Sequence, residues 1–405
     1  MEKKIVLINP DSTFLMDPLV FPSLGLLYLS SYLKHHGQEV EVVDLAGGVK
    51  LPEFGDEVYV YGITSTNAHY QEALKILDEL KRRDHENWVI LGGPRATSDP
   101  ESCLNDGFDQ VVVGEGERAI LKIARGYLYH TMQETPIENL DEIPFPDRDA
   151  INIHRYHYLL DGMPTTNMIT SRGCPFRCSF CCKTWGQRAR YRSAKNVLEE
   201  AKLLKEKYQF EAIMFYDDEM LAQKVRDAEI FRGLKELGLI FRCFTRADLV
   251  NPRLARLMSN CNCKEVLIGV ESGSDRLLTN IRKGTTREIE GQAIRILRDN
   301  GIRVKAAFIV GLPGESWESI KETENFIEEF PADDYDFSVL QVYPLSHIYE
   351  HPEQYDLAFE KFSGRWFKGR PGEYGDVSPI RTSSMSFEEI LKARDYLEKK
   401  YKRWQ

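Results

Sequence analysis

The 405-residue chain contains no run of about 18 apolar residues, so no membrane-crossing helix is expected. Its first ten residues, MEKKIVLINP, lack the long apolar stretch of a secretory leader and read as an opening strand. With both absent, the expected location is the cytoplasm. An excess of basic charge is missing too. Lys and Arg number 53 against 63 Asp and Glu, a formal charge of −10. Nucleic acid, whose binders carry a basic footprint, is therefore not an expected partner. There is no low-complexity tract. Cysteines are few, at positions 103, 174, 178, 181, 182, 243, 261 and 263, and four of these eight fall within nine residues. In a reducing compartment such clustering argues for metal rather than disulfides.

What is present is a repeated alternation of strand and helix. Hydrophobic residues make up 42% of the chain, enough to bury a sizeable core. The length suggests two or three domains at roughly 100–200 residues each. Residues 1–130 read as a Rossmann-like, doubly wound parallel sheet, with strands at Ile5–Asn9, Glu39–Leu45, Glu57–Ile63, Trp88–Leu91 and Gln110–Val113. Ligands of such sheets gather at the carboxyl ends of the strands, which singles out Thr64–Asn67, Gly92–Pro94 and Gly114–Gly116. Residues 131–165, with Pro136, Pro144 and Pro146 among acids, read as a linker. Over 166–343, six strands with five intervening helices fit a partial (β/α)6 barrel of TIM type. Capping boxes are expected at Thr285-Thr-Arg-Glu288 and Ser386-Phe-Glu-Glu389. Residues 344–405 form an irregular C-terminal region that ends in a helix.

The strongest local signal is Ser171-Arg-Gly-Cys174-Pro-Phe-Arg-Cys178-Ser-Phe-Cys181. Three thiolates spaced CxxxCxxC on one short loop can hold three corners of a [4Fe–4S] cube, leaving the fourth iron for an outside ligand. The alternative is a structural zinc site, which needs a fourth ligand. Cys182 adjoins Cys181 too closely to share a tetrahedron with ease. Cys182, Cys243, Cys261 and Cys263 read as small buried hydrophobes and Cys103 as structural. The basic stretch Lys183–Arg192 reads as a solvated loop or as a contact to an anionic group.

The cysteine loop, with Phe180 before its third cysteine, resembles that of the radical S-adenosylmethionine (SAM) superfamily. The resemblance implies that Cys174, Cys178 and Cys181 ligate the cluster, whose open iron chelates SAM. It extends along the barrel through Phe215-Tyr-Asp217-Asp218, Thr245-Arg246-Ala-Asp248, Ile268-Gly-Val-Glu271-Ser272-Gly-Ser274 and Phe308-Ile-Val310-Gly311-Leu-Pro-Gly314-Glu315. It thereby implies cofactor contacts at Phe180, Asp217, Asp218, Arg246, Glu271, Ser272, Val310 and Gly311. Plainer roles stay open for each group: helix caps for the aspartates, pairing with Asp248 for Arg246, turns for the glycines.

The first domain resembles the cobalamin-binding domain that precedes many radical SAM barrels, through Pro22-Ser-Leu-Gly25, Leu91-Gly-Gly-Pro94, Val113-Gly-Glu-Gly-Glu117 and Leu140-Asp-Glu-Ile-Pro-Phe-Pro146. The Asp-x-His-x-x-Gly motif that supplies a cobalt ligand in other cobalamin domains is missing; relatives of this type commonly lack it. Cofactor contacts are expected at Thr64, Ser65, Gly92, Gly93, Glu115 and Gly116, and His69 reads as a polar helix start. The implied activity is a cobalamin-dependent methyl transfer to an unactivated carbon, after hydrogen abstraction by a 5′-deoxyadenosyl radical. Alternatives are a radical SAM cyclisation, rearrangement or oxidation, or a non-catalytic metal-binding module. An external one-electron reductant such as flavodoxin or ferredoxin is the implied partner. The substrate class stays open among peptide, lipid, tetrapyrrole and small natural product. Tyr343, as a catalytic candidate, with Tyr335 and Gln341, is expected to face the cavity, under a lid carrying Trp366, Phe367, Arg370 and Tyr374.

Overall fold

Short runs of Val, Ile and Leu separated by amphipathic stretches fold as the alternation predicts. The computed structural model describes residues 4–13, 15–55, 58–360 and 379–402 and divides into two units, 1–158 and 159–405. The lid residues Trp366, Phe367, Arg370 and Tyr374 lie outside the described residues.

In the first unit, strands β1 (Lys4–Asn9), β2 (Val40–Asp44), β3 (Val58–Thr64), β4 (Trp88–Gly92), β5 (Gln110–Val113) and β6 (Thr131–Gln133) form one parallel sheet in the order 2-1-3-4-5-6. Side chains of β1 alternate between two cores. Val6 and Ile8 join Ile63, Leu77 and Leu91 beside α2 (Tyr70–Arg83). Ile5 and Leu7 join Leu26, Leu33 and Ile120 beside α1 (Leu24–His35) and α5 (Glu117–Ala124). Two short helices, α3 (Pro94–Ser98) and α4 (Pro100–Asn105), follow β4. Because β2 and β3 flank β1 on opposite sides, the strand order reverses there, and the loops after β1 and β3 diverge to leave a crevice.

The stretch 131–165, read as a linker, is divided between elements. β6 adds to the first sheet, and Ile137, Leu140, Ile143, Ile153 and Tyr156 are buried. Tyr156 donates to Asp44 (2.8 Å) and Ser30 to Asp147 (2.6 Å). Apolar residues at irregular spacing carry no periodicity, which is why they escape a pattern search.

The second unit holds β7 (Leu159–Leu160), β8 (Met163–Met168), the small antiparallel pair β9 (Ser171–Arg172) and β10 (Arg190–Tyr191), then β11 (Ala212–Phe215), β12 (Ile240–Thr245), β13 (Cys263–Glu271), β14 (Arg303–Val310) and β15 (Asp334–Val339). Apart from the edge hairpin partner β7, the sheet is parallel, and each strand lies beside its predecessor: 8-11-12-13-14-15. That ordering, without reversal, is the partial (β/α)6 barrel. Its helices are α6 (Ala194–Glu206), α7 (Lys224–Glu236), α8 (Pro252–Asn260), the unforeseen one-and-a-half turns of α9 (Asp275–Asn280), α10 (Arg287–Asp299) and α11 (Trp317–Glu329). Beyond the barrel lie α12 (His347–Glu350), a small pair β16 (Ala358–Phe359) and β17 (Ile380–Arg381), and α13 (Phe387–Tyr401).

The capping box at Ser386 forms with Glu389 as expected. The box at Thr285 does not. Thr286 is the N-cap, accepting from Ile289 N–H, while Thr285 donates to Glu290 at 2.7 Å. No described helix is long and apolar enough to cross a membrane.

Candidate functional site

The cysteine loop leaves the carboxyl end of β8 and is closed at its base by β9 and β10, which pair Arg172 with Arg190 and Ser171 with Tyr191. Gly173 opens the loop at φ +88°, where a Cβ would stand 2.6 Å from the Arg188 carbonyl oxygen. No other residue fits there without moving the loop. Midway along the loop, Ser179 N–H donates to Ile281 O (2.8 Å) and Ser179 O accepts from Ile348 N–H (3.0 Å). The interval that carries the second and third cysteines is thus fixed from two sides.

The aspartates after β11 brace the same loop. Asp217, buried, accepts from Thr170 N–H (2.8 Å), Thr170 Oγ1 (3.1 Å) and Ser171 Oγ (2.6 Å). Asp218 accepts from Gly173 N–H at 3.2 Å. Asp217, expected to meet a cofactor, here has its carboxylate occupied by three donors of the loop base. Two arginines complete the brace, of which Arg226 has no sequence signature. Arg226 donates to Thr170 O (2.8 Å) and Arg192 O (2.6 Å) and pairs with Asp227. Arg192, from the basic stretch, is buried and paired with Glu200 at 2.5 Å. That end of the stretch is buried, and its anionic partner is the chain's own Glu200. Lys183 does line a recess of about 410 Å³ with Arg177, Cys178, Cys181, Arg282 and His347.

The three thiols sense one another. Desolvation, then the charges of Cys178 and Cys174, pushes the Cys181 thiol up to about 12. Burial likewise raises Cys174. Cys174 and Cys181 therefore hold their protons at neutral pH in the metal-free loop, and binding iron must displace them. Among the described residues, no three His, Cys, Asp or Glu side chains gather at single-ion spacing. What joins the cysteines is the shared loop and their mutual electrostatics. Three thiols beside a fixed cation, Arg246 at 3.3 Å from Cys178 Sγ, suit an anionic thiolate cluster.

Further strand ends supply the surroundings. Glu271 stands at φ +67° where the β13–β14 register shifts. Its carboxylate curls back to Lys283 Nζ at 2.9 Å, a buried pair. This side chain, expected to contact a cofactor, is engaged by a lysine the sequence did not single out. Ser272 is buried, its Oγ accepting from Ser274 N–H at 3.1 Å; Ser274 Oγ is buried with no partner among the described residues. Glu219, also missed, accepts from Thr245 Oγ1 (2.8 Å), Arg246 N–H (3.0 Å) and Leu221 N–H (3.1 Å), and burial raises it to about 7.

Val310 is buried at the end of β14. Gly311, at φ +90°, has Ile380 and Ile390 where a Cβ would go, at 2.5 and 3.1 Å. Its missing side chain therefore admits the C-terminal elements, whereas the resemblance implied a cofactor there. Glu315 accepts from Gly311 N–H at 3.2 Å and from Ser319 Oγ.

Tyr343 is half-buried near Cys182, and burial followed by the Cys182 charge suppresses its ionisation. Gln341 is buried, with Oε1 unpartnered among the described residues. Tyr335 is core: its hydroxyl accepts from Ala332 N–H and its ring stacks with Phe337. Phe180 is half-buried in the loop.

In the first unit, Thr64, Ser65, Gly92, Gly93, Glu115 and Gly116 all stand at carboxyl ends of β3, β4 and β5, with different tasks. A Cβ on Gly92 or Gly114 would meet nothing within 4 Å, and Asn67 Oδ1 is buried without a partner among the described residues. Open glycine faces and an orphaned amide oxygen fit a ligand with polar edges. Gly93 instead admits the Ser65 carbonyl (2.9 Å), and Gly116 admits Leu29 (3.0 Å). Ser65 Oγ donates to Thr66 O, and Glu115 accepts from Ile137 N–H. His69, at the start of α2, has its ring nitrogens on Ser12 and Thr66.

Comparison with known proteins agrees with both halves. The Radical SAM superfamily model matches residues 168–327 and the B12 binding domain model residues 18–124. An uncharacterized methyltransferase of Pyrococcus horikoshii is 30% identical over 382 residues, covering 86% of this chain and 83% of the relative. The cytidylyl-2-hydroxyethylphosphonate methyltransferase of Streptomyces wedmorensis is 27% identical, covering 81% and 77%. Among solved structures, the radical SAM methyltransferase TsrM of Kitasatospora setae, with cobalamin and a [4Fe–4S] cluster bound, superposes with a TM-score of 0.70. It covers 90% of this chain and 81% of that one at 19% identity, a likeness of fold. With a three-cysteine loop at the mouth of a partial barrel and a doubly wound sheet before it in sequence, the chain belongs to the radical SAM superfamily and carries a B12-binding domain.

Proposed function

We propose that the chain is a cobalamin-dependent radical SAM methyltransferase acting on an unactivated carbon. The observation that carries this is the fixed cysteine loop, in a chain whose relatives include named methyltransferases and whose first unit matches the B12-binding family. When bound, the cluster and SAM supply a 5′-deoxyadenosyl radical and the cobalamin supplies the methyl carrier.

This chain's residues hold and shield. Cys174, Cys178 and Cys181 ligate the cluster, while Asp217, Asp218 and Arg226 keep their loop in place. Ser272, Ser274 and Val310, at the ends of β13 and β14, border the nucleotide. In the first unit, Thr64, Asn67, Gly92 and Gly114 offer the crevice for cobalamin. Tyr343 and Gln341 are the substrate-side candidates, since both are largely buried polar groups beyond β15. Burying them keeps water from a radical that reacts with whatever is nearest. The electron would come from an external one-electron donor of flavodoxin or ferredoxin type, as the resemblance implies.

The test is anaerobic reconstitution followed by metal analysis and reduction with SAM present. The expected result is about four irons and one cobalt per chain, with release of 5′-deoxyadenosine. A lone zinc at the loop, with no iron and no deoxyadenosine, overturns the proposal.

A further inference from the structure

We propose that Arg246 sets the reduction potential of the cluster held by the cysteine loop, through a charged hydrogen bond to the Cys178 thiolate that Asp248 partly offsets. This rests on the cluster assignment above and adds the residue that tunes it.

Arg246 emerges from the end of β12 with its backbone N–H on Glu219 Oε2 at 3.0 Å. Its guanidinium is then held by independent contacts. Nε and Nη2 donate to the two oxygens of Asp248 at 2.9 and 3.2 Å, and Nη2 also donates to Lys283 O at 2.7 Å. The ring of Phe176, inside the cysteine loop, lies 3.9 Å below it. These contacts leave Nη1, which points at Cys178 Sγ at 3.3 Å. The residue is 7% exposed, so solvent cannot reorient to screen it.

Among the described residues, Cys178 is the one loop thiol with a cationic hydrogen-bond donor. Of the other cations, Lys283 is turned to Glu271 at 2.9 Å, while Arg177, Lys183 and Arg282 line the recess that Cys178 shares with Cys181. Arg246 is thus the cation in direct contact with the Cys178 sulfur, with Asp248 on the far side of its guanidinium.

Reduction adds one electron to the cluster and its thiolates. A hydrogen bond to sulfur and a nearby positive charge stabilise the more negative, reduced form and raise the potential. In a partly desolvated site this effect exceeds that of an exposed pair. Asp248 opposes it from the far side of the guanidinium. The two residues therefore have opposite signs, which a purely structural role does not produce.

The experiment uses the full chain, reconstituted anaerobically with iron and sulfide. The cluster midpoint is measured without SAM by potentiometric titration followed by electron paramagnetic resonance. Arg246→Gln is expected to load iron and titrate at a more negative potential than wild type. Asp248→Asn is expected to titrate at a more positive one. Arg246→Lys keeps the charge but loses the fork and the stacking, and falls between wild type and Arg246→Gln. Loaded variants whose midpoints are unmoved, or move in the same direction, overturn the proposal; an arginine that serves only the nucleotide gives the first of these. If Arg246→Gln does not load, the signs for Asp248→Asn and Arg246→Lys decide in the same way. Wild-type protein that takes up no iron fails the cluster assignment itself, a separate result.

Discussion

Gly173 shows how narrowly single residues are determined here. A methyl group at φ +88° meets the Arg188 carbonyl oxygen at 2.6 Å, so Gly173→Ala must displace the loop at its base. We expect a loss of about 1–3 kcal/mol and clearly less iron per chain after reconstitution, read by metal analysis. Glu315 makes a pH-dependent prediction. Burial raises its carboxyl from 4.5 to about 7, so between those values the folded state binds more protons than the unfolded one. Stability therefore falls as pH rises through that window. Glu315→Gln removes the ionisation, and the Tm difference, variant minus wild type, should grow more positive from pH 5 to pH 8. The full contribution is at most about 3 kcal/mol, and a flat difference refutes it. Residues of this kind divide by legibility. The three loop cysteines were readable because spacing alone defines them. Glu219, Lys283 and Arg226 were not, because their partners Arg246, Glu271 and Thr170 lie 27, 12 and 56 positions away. The hydrogen bonds of Asp217 to Thr170 and Ser171 were not legible either, since nothing in Asp-Asp reveals which way a carboxylate turns.

At the scale of elements, β11 (Ala-Ile-Met-Phe) was legible as a short apolar run buried throughout, and β14 by its alternating burial, between amphipathic helices. β15 stops at Val339, short of the expected 343, because the β-rich run Leu-Gln-Val-Tyr over 340–343 stays largely buried after the ladder ends. The joint between β8 and the cysteine loop has no such pattern. It is held by Arg226, whose loss leaves the Thr170 and Arg192 carbonyls and buried Asp227 without their cation. Arg226→Ala should cost about 3 kcal/mol and lower iron retention, measured by denaturant unfolding beside metal analysis. Ser316 is a control on the same barrel. It caps α11 in a reciprocal box with Ser319, and Ser316→Ala should cost about 1 kcal/mol while leaving the cluster spectrum unchanged. Equal effects of the two variants on iron would show that the joint has no special part in cluster binding.

For the whole molecule, two units with separate cores imply cofactor sites that can be emptied one at a time. Replacing Cys174, Cys178 and Cys181 together with Ala should remove iron and leave about one cobalt per chain on loading with cobalamin. Gly92→Val, on an open face of the first sheet, should do the reverse and keep the iron. Loss of both metals in either variant would refute this independence. The paired base formed by β9 and β10 has a last consequence, for ancestry. Arg172 and Arg190 are tied across the neck of a 17-residue excursion, so changes between Lys183 and Arg188 that keep Trp185 on Arg172 and the backbone beside Gly173 should leave the staves beneath in place. Descendants of one scaffold can thus vary this rim, within those two anchors, while inheriting the same metal grip, as a lamp accepts a new shade on an old socket.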